Sequence, residues 1–105
     1  MENADYDLVI VGGGPAGLTA GLYASRARLN VLLLEMITPG GQILVTDWIE
    51  NYPGFPEGLT GTELVERMTE QAKNFGLKIE SEEVMSLDLS EPVKKIELAD
   101  GSFLS

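Results

Sequence analysis

The stretch Asp7-Leu-Val-Ile-Val-Gly-Gly-Gly-Pro-Ala-Gly-Leu18 decides the fold of this 105-residue chain. It begins within an apolar run, residues 6–11, that only Asp7 interrupts, which is typical of a strand buried on both faces of a parallel sheet. Three glycines end the run, and Pro15 follows them. Proline is favoured in the first turn of a helix because its missing N–H needs no partner there. The stretch therefore predicts a strand, a tight turn and a helix that begins at Pro15.

The residues that follow complete a βαβ unit. Good helix formers continue to about Arg28, and residues 31–34 form a second, fully apolar run that Glu35 closes. Within the helix, Gly17 and Gly21 are four residues apart, although glycine costs about 1 kcal/mol relative to alanine in a helix interior. We therefore expect a helix face whose backbone closely approaches a neighbouring element.

The remainder of the chain predicts one more helix and a small antiparallel sheet. Thr60 and Glu63 form a capping box at the start of the helix, and Gly76 marks its end. Short apolar or alternating runs predict strands at residues 77–80, 84–89 and 94–98, and Asp100-Gly101 is a hairpin signal before a four-residue return strand. The predicted fold class is α/β: a Rossmann-like βαβ fold with a parallel sheet and a small antiparallel hairpin near the C-terminus. We expect residues 1–105 to be the N-terminal part of one such domain, truncated in the hairpin.

Composition excludes several kinds of chemistry. Cysteine and histidine are absent, so these residues hold no disulfide, no thiolate nucleophile, no cysteine-type zinc site and no histidine base. Seventeen acidic against seven basic residues give a net charge of −10, which argues against nucleic acid and anionic membranes as partners. The acidic N-terminus does not resemble a signal peptide, and the apolar runs are too short to span a bilayer. A cytoplasmic protein is expected.

One motif carries functional information. Gly12, Gly14 and Gly17 form a Gly-x-Gly-x-x-Gly pattern between the predicted strand and helix, where a pyrophosphate can sit on the helix N-terminus. Glu35 follows Gly17 by 18 residues, at the end of the second strand, where a carboxylate can accept hydrogen bonds from a ribose diol. These residues predict dinucleotide binding and leave FAD, NAD and NADP open. NADP is the least favoured because its 2′-phosphate would be repelled by Glu35.

Three segments together resemble the N-terminal part of bacterial thioredoxin reductases, which are flavoproteins with two dinucleotide-binding domains. The segments are the glycine-rich stretch quoted above, Gly40-Gly-Gln42 and Glu50-Asn-Tyr-Pro-Gly54. The resemblance covers essentially the whole chain but only about the first third of such an enzyme. It implies that the cofactor is FAD and that NADPH binds to a domain outside these residues.

The resemblance also implies a role for each matching residue. The cofactor-binding residues are Gly12, Gly14, Pro15, Ala16 and Gly17 along the pyrophosphate, Glu35 and Met36 at the adenosine ribose, Gly41, Gln42, Thr46 and Asn51 at the ribityl chain and flavin, and Val84 beside the adenine. Asn51 could instead be a turn residue, and Trp48 is either a flavin neighbour or an anchor of its loop. No catalytic residue and no metal ligand are predicted.

The implied parent is an NADPH-dependent enzyme that passes electrons through flavin and a Cys-x-x-Cys dithiol to thioredoxin, and we expect it to be a homodimer. Because these residues contain neither the dithiol nor the NADPH domain, we expect the segment alone to be inactive. Two alternatives remain open. One is a ferredoxin or flavodoxin reductase without a dithiol, and the other is a stand-alone dinucleotide-binding module that performs no catalysis.

Overall fold

A computed structural model describes residues 4–36 and 48–105. These residues form the following elements: β1 (Leu8–Val11), α1 (Pro15–Arg26), β2 (Val31–Glu35), α2 (Gly61–Asn74), β3 (Lys78–Ser81), β4 (Val84–Asp88), β5 (Lys95–Leu98) and β6 (Phe103–Leu104). Strands β1, β2 and β3 form a parallel sheet in that order, and β4, β5 and β6 form an antiparallel sheet. The predicted α/β class with a parallel sheet and a small antiparallel hairpin is confirmed.

Strand β2 lies at the centre of the parallel sheet, and its side chains form the core by pointing alternately to the two faces of the sheet. Val31 and Leu33 pack on one face against α1 and α2, whereas Leu32 and Leu34 pack on the other face against β5. All four side chains are buried. Because successive side chains of a strand point to opposite faces, an uninterrupted apolar run is what a strand covered on both sides requires. The molecule therefore has three layers: helices, parallel sheet and antiparallel sheet.

Strand β1 departs from its prediction. Its middle residues Val9 and Ile10 are half-buried, but Leu8 and Val11 at its ends are 38% and 55% exposed. The expectation of a strand buried on both faces is therefore wrong for its ends, because within the described residues β1 is an edge of the sheet. Hydrophobicity shows that a strand is apolar, but it does not show whether a neighbour lies on each side.

Both helices begin where the sequence predicts. Helix α1 starts at Pro15 and ends at Arg26, two residues before the predicted end. Helix α2 starts after Thr60, whose hydroxyl accepts a hydrogen bond of 3.1 Å from the Glu63 N–H, and Gly76 follows it with φ +99°. The predicted cap and the predicted glycine stop are both confirmed. No helix of the described residues is long and apolar enough to cross a membrane.

Removing the cap of α2 should destabilise the chain. We expect Thr60→Ala to lower the free energy of unfolding by about 1 kcal/mol, because the Glu63 N–H loses its acceptor. Thr62→Ala is the matched control: Thr62 is exposed in the first turn of the same helix and caps nothing. Urea unfolding of the two variants checks the prediction. Equal stability of the two variants would contradict it.

The antiparallel sheet closes back on the start of the chain. The β5–β6 turn is formed by Asp100 and by Gly101, whose φ is +87°. Hydrogen bonds from the Ser102 hydroxyl and N–H lower the pKa of the Asp100 carboxyl. At the other end of β6, the carbonyl of Ser105 accepts hydrogen bonds from the N–H groups of Asp5 and Tyr6. The segment before β1 is thereby tied to the second sheet.

Candidate dinucleotide-binding site

Three of the predicted site residues lie at one edge of the parallel sheet. Gly12 follows β1, and Glu35 ends β2 beside Ser81, the last residue of β3. Val84 lies three residues further on, at the start of β4. Ligands of open α/β sheets bind outside the carboxyl ends of the strands, and this is the edge at which the structure places these residues.

The glycine turn leaves backbone donors available at the start of α1. Gly12 has φ +111°, a conformation that favours glycine, and its N–H donates to the Leu34 carbonyl at 2.8 Å. Gly14 is the N-cap of α1, and no side chain caps the helix. Pro15 has no N–H, so the donors at this end are the N–H groups of Gly14, Ala16 and Gly17. Ala16 and Gly17 lie in the first turn of α1, where an N–H group has no acceptor within the helix. Such a terminus favours an anion.

At Gly17, the backbone of α1 lies very close to the glycine turn. A Cβ on Gly17 would lie closer than 3.0 Å to the Gly12 carbonyl oxygen and 3.3 Å from the Ile10 side chain. Real Cβ atoms essentially never approach another atom so closely, and the Gly12 oxygen belongs to the backbone. The expected close approach of this helix face is confirmed. It continues at Gly21, where a Cβ would lie 2.6 Å from a methyl group of Leu77.

Glu35 makes contacts that the sequence motif does not reveal. One carboxylate oxygen accepts a hydrogen bond of 2.5 Å from the Gly13 N–H, and the other accepts one of 3.0 Å from the Met36 N–H. Gly13, the middle glycine of the three, is buried. Its N–H is therefore turned toward Glu35 rather than toward a phosphate. A Gly-x-Gly pattern carries no signal for this contact, because it joins residues 22 positions apart.

The other predicted site residues lie in different parts of the chain. Ala16 is exposed at the start of α1, Met36 is 55% exposed beside Glu35, and half-buried Val84 packs against the core between the two sheets. Gly41, Gln42 and Thr46 lie outside the described residues, so their predicted flavin roles remain predictions.

Asn51 lies on a separate loop that packs against α2. The loop is closed by a pair of backbone hydrogen bonds, Ile49 N–H to Leu59 carbonyl at 2.7 Å and the reverse at 3.0 Å. Within it, the Arg67 guanidinium of α2 sits 5.6 Å from the centre of the Phe55 ring. Asn51 itself is exposed. The loop is thus held at its base and by one aromatic ring, and it presents Asn51 to solvent.

Trp48 acts as an anchor at the base of this loop. A Cβ on Gly58 would lie 2.8 Å from the Trp48 indole, so the ring rests against the glycine backbone. The contact favours the loop-anchor interpretation of Trp48, although 53% of the residue is exposed. Neither Gly58 nor Arg67 was singled out from the sequence, because both contacts depend on how the loop folds.

Residues 4–36 and 48–105 contain no group of three or more acidic, cysteine or histidine side chains that could hold a metal ion. The arrangement that they do contain is a hydrogen-bond donor set for an anion beside a carboxylate that can accept from hydroxyl groups. This combination binds and orients a ligand, and it supplies no proton donor or nucleophile of its own.

The chain is similar to known proteins in sequence and in fold. Residues 6–102 match the family described as pyridine nucleotide-disulphide oxidoreductase. The chain is 45% identical over 96 residues to a bifunctional thioredoxin reductase/thioredoxin of Mycobacterium leprae, covering 91% of this chain and 21% of that protein. It is 45% identical over 95 residues to a thioredoxin reductase of Mycolicibacterium smegmatis, covering 90% and 30%.

A solved structure shows the same fold. A thioredoxin reductase from Lactococcus lactis superposes with a TM-score of 0.89 at 40% identity, covering 95% of this chain and 32% of that one. The chain thus spans between about a fifth and a third of the length of these relatives. The resemblance to the N-terminal FAD-binding segment of thioredoxin reductases is confirmed.

Proposed function

Because the chain belongs to the pyridine nucleotide-disulphide oxidoreductase family, we propose that it is the FAD-binding segment of an NADPH-dependent flavoprotein of the thioredoxin reductase type. One observation supports the proposal above the others. The uncapped N-terminus of α1 lies beside the carboxylate at the end of β2, which is a donor set for a pyrophosphate next to an acceptor for a ribose.

The described residues fit the adenosine and pyrophosphate half of FAD. The N–H groups of Gly14, Ala16 and Gly17 would hold the pyrophosphate, and the packing of Gly17 on Gly12 brings the helix end close enough for them to do so. Glu35 would accept from the ribose hydroxyl groups beside Met36. The backbone of Val84, near the same edge, would face the adenine, since the side chain packs in the core. A chain of net charge −10 can bind this dianion because the attraction is local, from N–H groups and the helix dipole.

Bound FAD would supply hydride-accepting redox chemistry that the side chains of these residues do not provide. The contribution of this segment is to bind and orient, with Asn51, Gly41, Gln42 and Thr46 proposed at the flavin end. For the whole protein we propose NADPH as the reductant, thioredoxin or a similar disulfide protein as the acceptor, a homodimeric assembly and a cytoplasmic location. The proposed acceptor follows the relatives, which are named thioredoxin reductases. We propose that these 105 residues alone do not reduce disulfides.

Nucleotide binding by the purified chain tests the proposed function. We expect FAD to bind weakly with one site per chain, measured by flavin fluorescence anisotropy, and we expect ADP to displace it. NAD⁺ should compete about 10-fold better than NADP⁺, which corresponds to about 1.4 kcal/mol of repulsion between the 2′-phosphate and Glu35.

Riboflavin, which lacks the adenosine and pyrophosphate groups, is the matched control ligand and should not displace FAD. Competition by riboflavin but not by ADP would contradict the proposal, because it would place recognition at the flavin rather than at the glycine turn. Equal competition by NAD⁺ and NADP⁺ would contradict the role of Glu35 at the ribose.

A further inference from the structure

Both oxygens of the Glu35 carboxylate accept hydrogen bonds within the chain. The bonds come from backbone N–H groups, Gly13 at 2.5 Å and Met36 at 3.0 Å. The Met36 bond sets the rotation of the carboxylate, and the Gly13 bond directs it at the turn. A carboxylate that only bound the ribose would need neither contact. The carboxylate is therefore part of the architecture of the turn.

The Gly13 bond extends the pairing of β1 and β2 beyond the end of the ladder. The last paired residues are Val11 and Leu34. Gly12 then donates to the Leu34 carbonyl at 2.8 Å, and Gly13 donates to the Glu35 side chain. Two successive N–H groups of the turn are thus held by two successive residues of β2. Because Gly13 is buried, its N–H would be a buried donor without a partner if Glu35 were removed.

We propose that Glu35 is a positioning residue that latches the glycine turn to β2 before any nucleotide binds. This proposal deepens the proposed function and rests on it only for the identity of the ligand. An ionised carboxylate has about four acceptor positions. One of them holds the turn through the Gly13 N–H, one accepts from the Met36 N–H, and the others are left for ribose hydroxyl groups. The same side chain therefore sets the shape of the pyrophosphate site and reads the sugar.

Glutamine at this position separates the two roles. Gln has the shape of Glu, but its amide has one acceptor oxygen and a donor NH₂ group. In either orientation, one of the two backbone N–H groups would face the NH₂ group. Even where the amide oxygen faces Gly13, it is a neutral acceptor and forms a weaker hydrogen bond than the carboxylate does. Glu35→Gln should therefore loosen the turn even where no ribose is present. Glu80→Gln is the matched control, since it removes the same charge from an exposed position on the neighbouring strand β3.

The first measurement needs no nucleotide. In the unliganded wild-type chain, hydrogen exchange followed by NMR should show the Gly13 amide protected about 10-fold or more relative to an open amide, the fold-change expected for a hydrogen bond to a charged group. The protection should fall by about 5-fold or more in Glu35→Gln, since a neutral acceptor is weaker than a charged one, and persist in Glu80→Gln. A wild-type Gly13 amide that exchanges as fast as an open one overturns the latch, whether or not the variants fold.

The second measurement compares ADP with 2′,3′-dideoxy-ADP, which has no ribose diol. A latch predicts that Glu35→Gln weakens both ligands, dideoxy-ADP by about 10-fold, whereas Glu80→Gln changes neither by more than about 2-fold. If Glu35 only reads the diol, the variant weakens ADP alone, and the latch is overturned. Failure of the proposed function is distinct: the Gly13 amide would remain protected while neither FAD nor ADP binds.

Discussion

Gly17→Ala will abolish measurable nucleotide binding and lower the free energy of unfolding by about 3 kcal/mol. The new Cβ would lie closer than 3.0 Å to the Gly12 carbonyl oxygen, and that oxygen cannot turn away as a flexible side chain would. Either α1 or the turn must therefore move. Overpacking of this kind costs about 1–3 kcal/mol and sometimes more. Because Gly14 and Ala16 are part of the same connection, the donors for the pyrophosphate would move with it.

Gly21→Ala is the matched control for this prediction, since it makes the same chemical change one turn further along α1. Its Cβ would meet a methyl group of Leu77 at 2.6 Å, at the end of a side chain that can adjust. The better helix propensity of alanine returns about 1 kcal/mol. We expect a net loss below about 1 kcal/mol and unchanged ADP affinity. Urea unfolding and ADP titration measure the stability and the ADP affinity of both variants. Equal effects at the two positions would contradict the special role of Gly17.

Leu33→Ala will lower the free energy of unfolding by about 2–5 kcal/mol, the range for a buried leucine truncated to alanine. Leu33 is fully buried in the central strand and packs against Leu18 of α1 and Val65 of α2. The cavity would thus open where three elements meet, so no single neighbour can fill it. In a domain of this size the melting temperature should fall by about 10 °C or more.

Leu87→Ala makes the same truncation on a strand of the other sheet, where the side chain is 52% exposed. It should cost less than about 1 kcal/mol, because little apolar surface is transferred to water and no closed cavity forms. Thermal unfolding followed by circular dichroism compares the two variants. A Leu33→Ala variant as stable as Leu87→Ala would show that β2 is not the centre of the core.

Local signals predicted the elements whose causes are local. The Thr60 cap and the glycine at position 76 define α2 because a cap depends on residues three or four positions apart. The fully apolar run at residues 31–34 predicted strand β2, because the composition of a strand is also a local property of the chain. The Asp100-Gly101 turn likewise needs only the left-handed conformation that glycine adopts.

Features that depend on distant residues could not be read from the sequence. Among residues 4–36 and 48–105, the exposure of Val11 follows from the position of β1 at the edge of the sheet, which strand pairing decides. The bond between Gly13 and Glu35 joins residues that only the register of β1 and β2 brings together. The ring of Phe55 meets Arg67 only once the loop has folded on α2. Spacing predicted that Glu35 lies near the site, but not that it holds the turn.

The central claim is that the glycine turn of this chain holds a nucleotide pyrophosphate. The most direct test is the NMR response of backbone amides to ADP. We expect saturable shifts at Gly14, Ala16 and Gly17, with smaller shifts at Glu35 and Met36 and none at the β5–β6 turn. Shifts confined to other parts of the chain, or no saturable shift at the glycine turn, would contradict it.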